Sequence, residues 1–136
     1  GVSGAKFCLT EVRLGLIPAT ISPYVVAKLG VPNSRRVMLN AREMDSALAL
    51  RLGLLDEVVA PDEIDAAVER EVAALLKCAP GAVANAKELI RFVSTHDTPA
   101  NIEYTANALA DAWESAEVAD GIQAFLSKQK PKWHVE

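Results

Sequence analysis

Lys6-Phe-Cys-Leu-Thr-Glu-Val-Arg-Leu-Gly-Leu-Ile-Pro-Ala-Thr-Ile-Ser-Pro-Tyr24 sets a carboxylate, Glu11, inside an apolar segment that breaks at Gly15 and Pro18. From Phe7 to Arg13 the segment reads as a β-strand, whose side chains alternate between two faces and put Glu11 on the same face as Phe7 and Leu9. Burial of that face would disfavour the charged carboxylate and suit Glu11 to donating a proton. An edge strand with Glu11 and Arg13 in water reads the same pattern, since glutamate is rarely fully buried.

Downstream, Ser22-Pro23 predicts a helix that ends at Gly30, and Pro32 opens a short helix to Leu39 that carries Arg35 and Arg36. Adjacent arginines on a helix diverge by about 100°, so they are expected on a solvated face, with one of them free to bridge to Asp62 or Glu63. Asp45 is expected to cap a helix from Ser46 to Leu52, which Gly53 ends, and Leu54 to Val59 reads as a second strand. From Pro61 onward the pattern is helical. Ile64, Val68, Val72 and Leu75 share one face of a helix ending near Cys78, and Pro80 and Thr98-Pro99 open two more. The last predicted helix runs from Val118 to Gln129 and is expected to bury Ile122, Phe125 and Leu126. A boundary is expected near Ala60-Pro61, separating residues 1–60 from residues 61–136.

The 136 residues are 51% apolar, enough for a real core and too much for a disordered chain. The net charge is −4 with fourteen scattered Lys and Arg, so a nucleic-acid partner is excluded for want of a basic stripe. No apolar run reaches the roughly 20 residues that span a bilayer, and a cytoplasmic protein with no membrane partner is expected. Cys8 and Cys78 read as buried free thiols, and His96 and His134 have no second ligand at metal spacing.

Taken together, Thr10-Glu-Val-Arg-Leu-Gly-Leu-Ile-Pro18, the Arg35-Arg36 pair, Ala49-Leu-Arg-Leu-Gly-Leu-Leu55, Asp56-Glu-Val-Val59, Ala79-Pro80 ahead of Lys87, and Gly121 to Lys128 resemble, in order and spacing, the C-terminal half of the enoyl-CoA hydratase/isomerase (crotonase) family. The resemblance implies an α/β fold, in which residues 1–60 are the C-terminal portion of a crotonase-like ββα spiral core and residues 61–136 a helical trimerisation region. It implies an acyl-CoA substrate, hydration of an α,β-unsaturated thioester, no cofactor beyond the coenzyme A of that substrate, and a homotrimer or hexamer.

Residue by residue, Glu11 matches the family's second catalytic glutamate, the general acid at the substrate α-carbon. The first glutamate and the glycine-rich loop before it have no counterpart, so the chain looks like a fragment, inactive alone. Ala19-Thr-Ile-Ser22 replaces a glycine-rich segment and resembles a subgroup acting on branched substrates such as methylglutaconyl-CoA, with Ala19 beside the acyl group. Phe125 and Lys128 match the closing motif that approaches the coenzyme A nucleotide. Isomerisation, decarboxylation or thioester hydrolysis on the same fold, and a non-catalytic helical assembly module, are the competing expectations.

Overall fold

The computed structural model describes residues 1–134. It divides into two compact units, Gly1–Val68 and Glu69–Glu136, a cut that passes through one helix.

In the first unit, β1 (Lys6–Phe7) pairs antiparallel with β2 (Met44–Asp45), in the register Lys6↔Asp45 and Phe7↔Met44. Helix α1 (Ser22–Met38) is bent at Gly30, whose φ of 68° and ψ of 167° leave the helical region and divide it where the Gly30/Pro32 spacing predicts. Helix α2 (Ser46–Arg51) starts on Asp45, whose side chain accepts the Leu48 N–H. Leu29, Val37, Met44 and Leu52 are buried together, with Phe7 and Leu9 packed against them.

Both expected strands shrink. The strand expected over Phe7–Arg13 is confined to β1, and Glu11–Leu14 is instead a 3-10 turn. The alternation did mark burial: Phe7, Leu9 and Glu11 are half-buried while Cys8 and Thr10 are exposed. What the segment lacks is a partner strand longer than two residues, and without ladder bonds the backbone closes on itself. The strand expected at Leu54–Val59 reduces to one parallel bridge between Val59 and Val2. Its first residues close α2 instead, the Leu54 and Leu55 N–H groups both donating to the Ala49 carbonyl. Cys8 and Cys78 are free, as expected, but exposed rather than buried. Among the described residues no ion pair joins Arg35 or Arg36 to Asp62 or Glu63.

Helix α3 (Ile64–Leu75) crosses the division. The second unit then holds α4 (Pro80–Val93), α5 (Thr98–Trp113) and α6 (Ala116–Leu126). Side chains satisfy the helix starts. Asp97 accepts from the Ala100 N–H, Ser115 accepts from the Val118 N–H, and the Glu117 carboxylate takes the Gly81 and Ala82 N–H groups of α4 at 2.9 and 3.0 Å. A Cβ at position 81 would lie 2.7 Å from Glu117 Oε2, so a larger residue there would displace the carboxylate. Phe92 on α4 stacks on Tyr104 of α5 with ring centroids 3.8 Å apart. The expected burial of Ile122, Phe125 and Leu126 does not occur: Phe125 is 83% and Leu126 75% exposed.

Candidate functional site

The turn that carries Glu11 is held at both ends. Gly15, at φ 73°, is in the left-handed region, where a residue without a Cβ is at ease, and its N–H returns to the carbonyls of Glu11 and Val12. Leu16 N–H also donates to the Glu11 carbonyl, at 3.0 Å. Arg13 leaves the turn on the other side, and its Nη2 donates to the Ala41 carbonyl at 2.6 Å. Cys8 Sγ reaches the same oxygen at 3.1 Å. Ala41 is fully buried with φ at +48°, a conformation uncommon for a residue bearing a Cβ. The carbonyl that receives Arg13 and Cys8 thus belongs to a fixed corner, where Asn40 Oδ1 accepts the Arg42 N–H at 3.0 Å.

Within this frame Glu11 is half-buried, and its Oε2 is sealed from solvent with no hydrogen-bond partner in the protein. A buried carboxylate oxygen without a donor is costly to keep, which sets Glu11 apart from the chain's other carboxylates among the described residues.

Beyond the turn the chain doubles back at buried Pro18. Ala19 N–H donates to the Ile17 carbonyl at 2.8 Å, and Ser22 Oγ donates to the Ala19 carbonyl at 3.0 Å. Between this turn and α1 lies a groove of about 370 Å³, lined by Val12, Ile17, Ala19, Val26, Ser34 and Arg35 among others. Its volume is within the roughly 300–1,000 Å³ of small-molecule sites. Val12, next in sequence to Glu11, lines it, and Glu11 itself does not.

Phe125 and Lys128 lie in the second unit, at the end of α6. Lys128 has φ of +54°, and its N–H donates to the Phe125 carbonyl at 3.2 Å, so it occupies the position after a helix where glycine is usual. Both residues are exposed. A groove of about 520 Å³ in this unit is lined by Leu109, Trp113, Ile122 and Trp133 among others, and neither Phe125 nor Lys128 contributes to it. The indole N–H of Trp133 donates to the Lys77 carbonyl at 3.2 Å.

Arg13 and Arg35 are exposed, as the sequence pattern predicts, yet Arg13 also braces Ala41 and Arg35 borders the groove. Neither role was legible, because each depends on a segment more than a helical turn away.

One carboxyl in a half-buried turn can move one proton; it cannot by itself polarise a thioester. The fold is that of solved crotonases, whose chains superimpose on it closely. AtuE of Pseudomonas aeruginosa superimposes with a TM-score of 0.93 at 36% identity, over 98% of this chain and 52% of its own. An enoyl-CoA hydratase/isomerase of Marinobacter aquaeolei does so with a TM-score of 0.93 at 32% identity, over 98% of this chain and 51% of its own. Among curated proteins, enoyl-CoA hydratase ACTT6 of Alternaria alternata is 39% identical over 114 residues, covering 80% of this chain and 38% of that protein. Carnitinyl-CoA dehydratase of Salmonella typhi is 28% identical over 134 residues, covering 95% and 51%. The chain therefore spans about half the length, or less, of these relatives. The enoyl-CoA hydratase/isomerase family model matches residues 3–136, and the chain belongs to that family.

Proposed function

We propose that this chain supplies the α-carbon acid/base of an acyl-CoA hydratase that adds water to an α,β-unsaturated thioester, and that the acid/base is Glu11. The observation that carries this reading is the Glu11 carboxyl, half-buried at the head of a braced turn with one oxygen sealed and unpartnered. In hydration it delivers a proton to the α-carbon as water adds at the β-carbon, and in the reverse direction it removes that proton. The name of the Salmonella relative, a dehydratase, supports water transfer as the chemistry. Stabilising the enolate-like oxygen takes preorganised donors, and activating the water takes a second base. The Gly-Gly-x-x-Glu pattern expected for those roles is absent from these 136 residues, so the chain alone is expected to be inactive.

Ala19, on the groove beside the Glu11 turn, is the residue we assign to the acyl group, and a branched, methylglutaconyl-like chain is the substrate this assignment favours. Phe125 and Lys128 are assigned to the coenzyme A nucleotide, where the ammonium acts as a point charge toward phosphate. The exposed apolar faces of α5 and α6 support a homotrimer or hexamer.

The test is Glu11→Gln in the full-length protein with crotonyl-CoA. The expected loss in kcat is about 10²–10⁴-fold, the usual contribution of a general acid/base, and an unchanged kcat would remove Glu11 from the chemistry. A product other than the 3-hydroxyacyl thioester would assign the fold to isomerisation, decarboxylation or hydrolysis instead.

A further inference from the structure

Glu11 opens a four-residue 3-10 turn, Glu11–Leu14, and such short turns have poor hydrogen-bond geometry and little stability of their own. Burial does not anchor this one: none of its residues is fully buried, and Leu14, Leu16 and Ile17 are exposed. Its backbone bonds are local, Arg13 N–H to the Thr10 carbonyl and Leu16 N–H to the Glu11 carbonyl, so they shape the turn without fixing where it points. Among the described residues one side-chain hydrogen bond leaves the turn for a distant segment, the bond from Arg13 Nη2 to the Ala41 carbonyl.

That bond shares its acceptor with Cys8 Sγ, so the chain is tied to one oxygen on both sides of Glu11, at position 8 before it and at position 13 after it. The stretch between is a loop closed through the Ala41 carbonyl, with Glu11 inside it. The acceptor has little freedom of its own. Ala41 is fully buried and leads into β2, whose Met44 belongs to the buried cluster and pairs with Phe7, the neighbour of Cys8. The two donors differ in strength, since the guanidinium makes a charge-assisted bond and the thiol is a weak donor. Among the described residues no carboxylate pairs with Arg13, so none competes with Ala41 for it.

We propose that the Ala41 carbonyl is a two-point clamp that sets the direction of the Glu11 carboxyl, with Arg13 as its main positioning residue and Cys8 as the lesser one. This rests on the acid/base reading of Glu11 and adds residues that act through Glu11 and not on the substrate. Proton transfer requires the carboxyl within about 2.6–3.2 Å of its target, and a misplacement of about 1 Å can cost about 10²-fold in rate. Loss of the clamp therefore falls on kcat and spares KM.

The experiment is a double-mutant cycle in the full-length protein with crotonyl-CoA, reading kcat and KM separately. Arg13→Met is expected to lower kcat by about 10- to 100-fold and to move KM by less than about threefold. Arg13→Lys keeps a charged donor without the planar fork, and its kcat should stand at least about threefold above that of Arg13→Met. In a Glu11→Gln background the Arg13→Met change should cost less than about twofold, because the group that the clamp aims is gone. Cys8→Ala, which removes the weaker donor, should lower kcat by about two- to fivefold, and only while Glu11 is present; it carries the test if Arg13→Met does not accumulate as folded protein. A loss that multiplies in full in the Glu11→Gln background, or that falls on KM, is what a general contribution to folding or binding produces, and it overturns the clamp. So does an unchanged kcat in Arg13→Met when Glu11→Gln is impaired. Full activity of Glu11→Gln by itself is a different failure: it removes the acid/base reading and the clamp with it, whereas the preceding outcomes leave Glu11 in its role.

Discussion

The unit of residues 1–68 buries Leu29, Val37, Met44 and Leu52 in one cluster, whereas among the described residues of the unit that follows Ala124 alone is buried. Yet the second unit is the more regular, with three helices and side-chain or backbone caps at their ends. Regularity and burial therefore have different sources here. Helices α4 to α6 are specified locally, by alanine-rich composition, by Asp97 and Ser115 as caps and by Glu117 on the head of α4. Their apolar faces, Leu109, Trp113, Ile122 and Phe125, stay exposed. This exposed apolar surface is what the assembly proposed for this unit would cover. The first unit owes its arrangement to long-range contacts and holds the one carboxylate oxygen left sealed and unpartnered among the described residues.

If chemistry belongs to the first unit and assembly to the second, the largest effects should separate along that line. Glu11→Gln should cut kcat by about 10²–10⁴-fold with the oligomeric mass unchanged, whereas Lys128→Ala should act on KM, raising it severalfold with little change in kcat. A fall in kcat from Lys128→Ala matching that from Glu11→Gln would break the division. Next in size, Met44→Ala should destabilise the protein by about 2–5 kcal/mol, as buried Leu, Ile and Met truncations do, read as a lower midpoint in urea. Leu109→Ala, on an exposed face, should cost well under half of that in any form of the protein whose α5 face is uncovered.

A third prediction bears on the second unit as an assembly surface. Phe125→Asp is expected to lower the oligomeric mass measured by light scattering while leaving the helical circular dichroism nearly intact, because the helices do not depend on that face for their caps. The smallest effect is a pH dependence. Asp120 accepts the Lys132 N–H at 2.8 Å and pairs with its ammonium at 2.9 Å, and these bonds hold its carboxyl below the usual carboxylate range. Its folded pKa is depressed, so its contribution is present above the unfolded value near 3.9 and is lost as pH falls through the folded one. Trp133, next to Lys132, should report release of this tie as a change in fluorescence below about pH 4, and Asp120→Asn should abolish that transition.

Local signals in the chain are met where the residues set them. Asp45 as a cap, the Gly30/Pro32 break, and the helix starts at Pro80 and Thr98 all appear where the residues place them, because each is settled by hydrogen bonds within three or four residues. The strand expected from Phe7 to Arg13 failed for a reason invisible locally. Alternation reports which side chains face inward, but a strand also needs a neighbour to bond, and β2 offers two residues. The apolar stripe of α6 was read as core, since periodicity gives the direction of a face and not what lies against it.

By itself the sequence determined the family, through the order of its Glu11, Gly53, Ala79-Pro80 and Lys128 segments, together with most helix boundaries and the choice of Glu11 as the carboxylate to suspect. Tertiary structure alone decided that Glu11 rides on a 3-10 turn, that Arg13 and Cys8 meet on the carbonyl of Ala41, 28 and 33 residues away, and that Ser34 and Arg35 border the groove beside Ala19. The physical reason is range. Caps and breaks are satisfied within one turn of backbone, whereas the brace of the Glu11 turn and the polar end of the groove come into being only when distant segments pack.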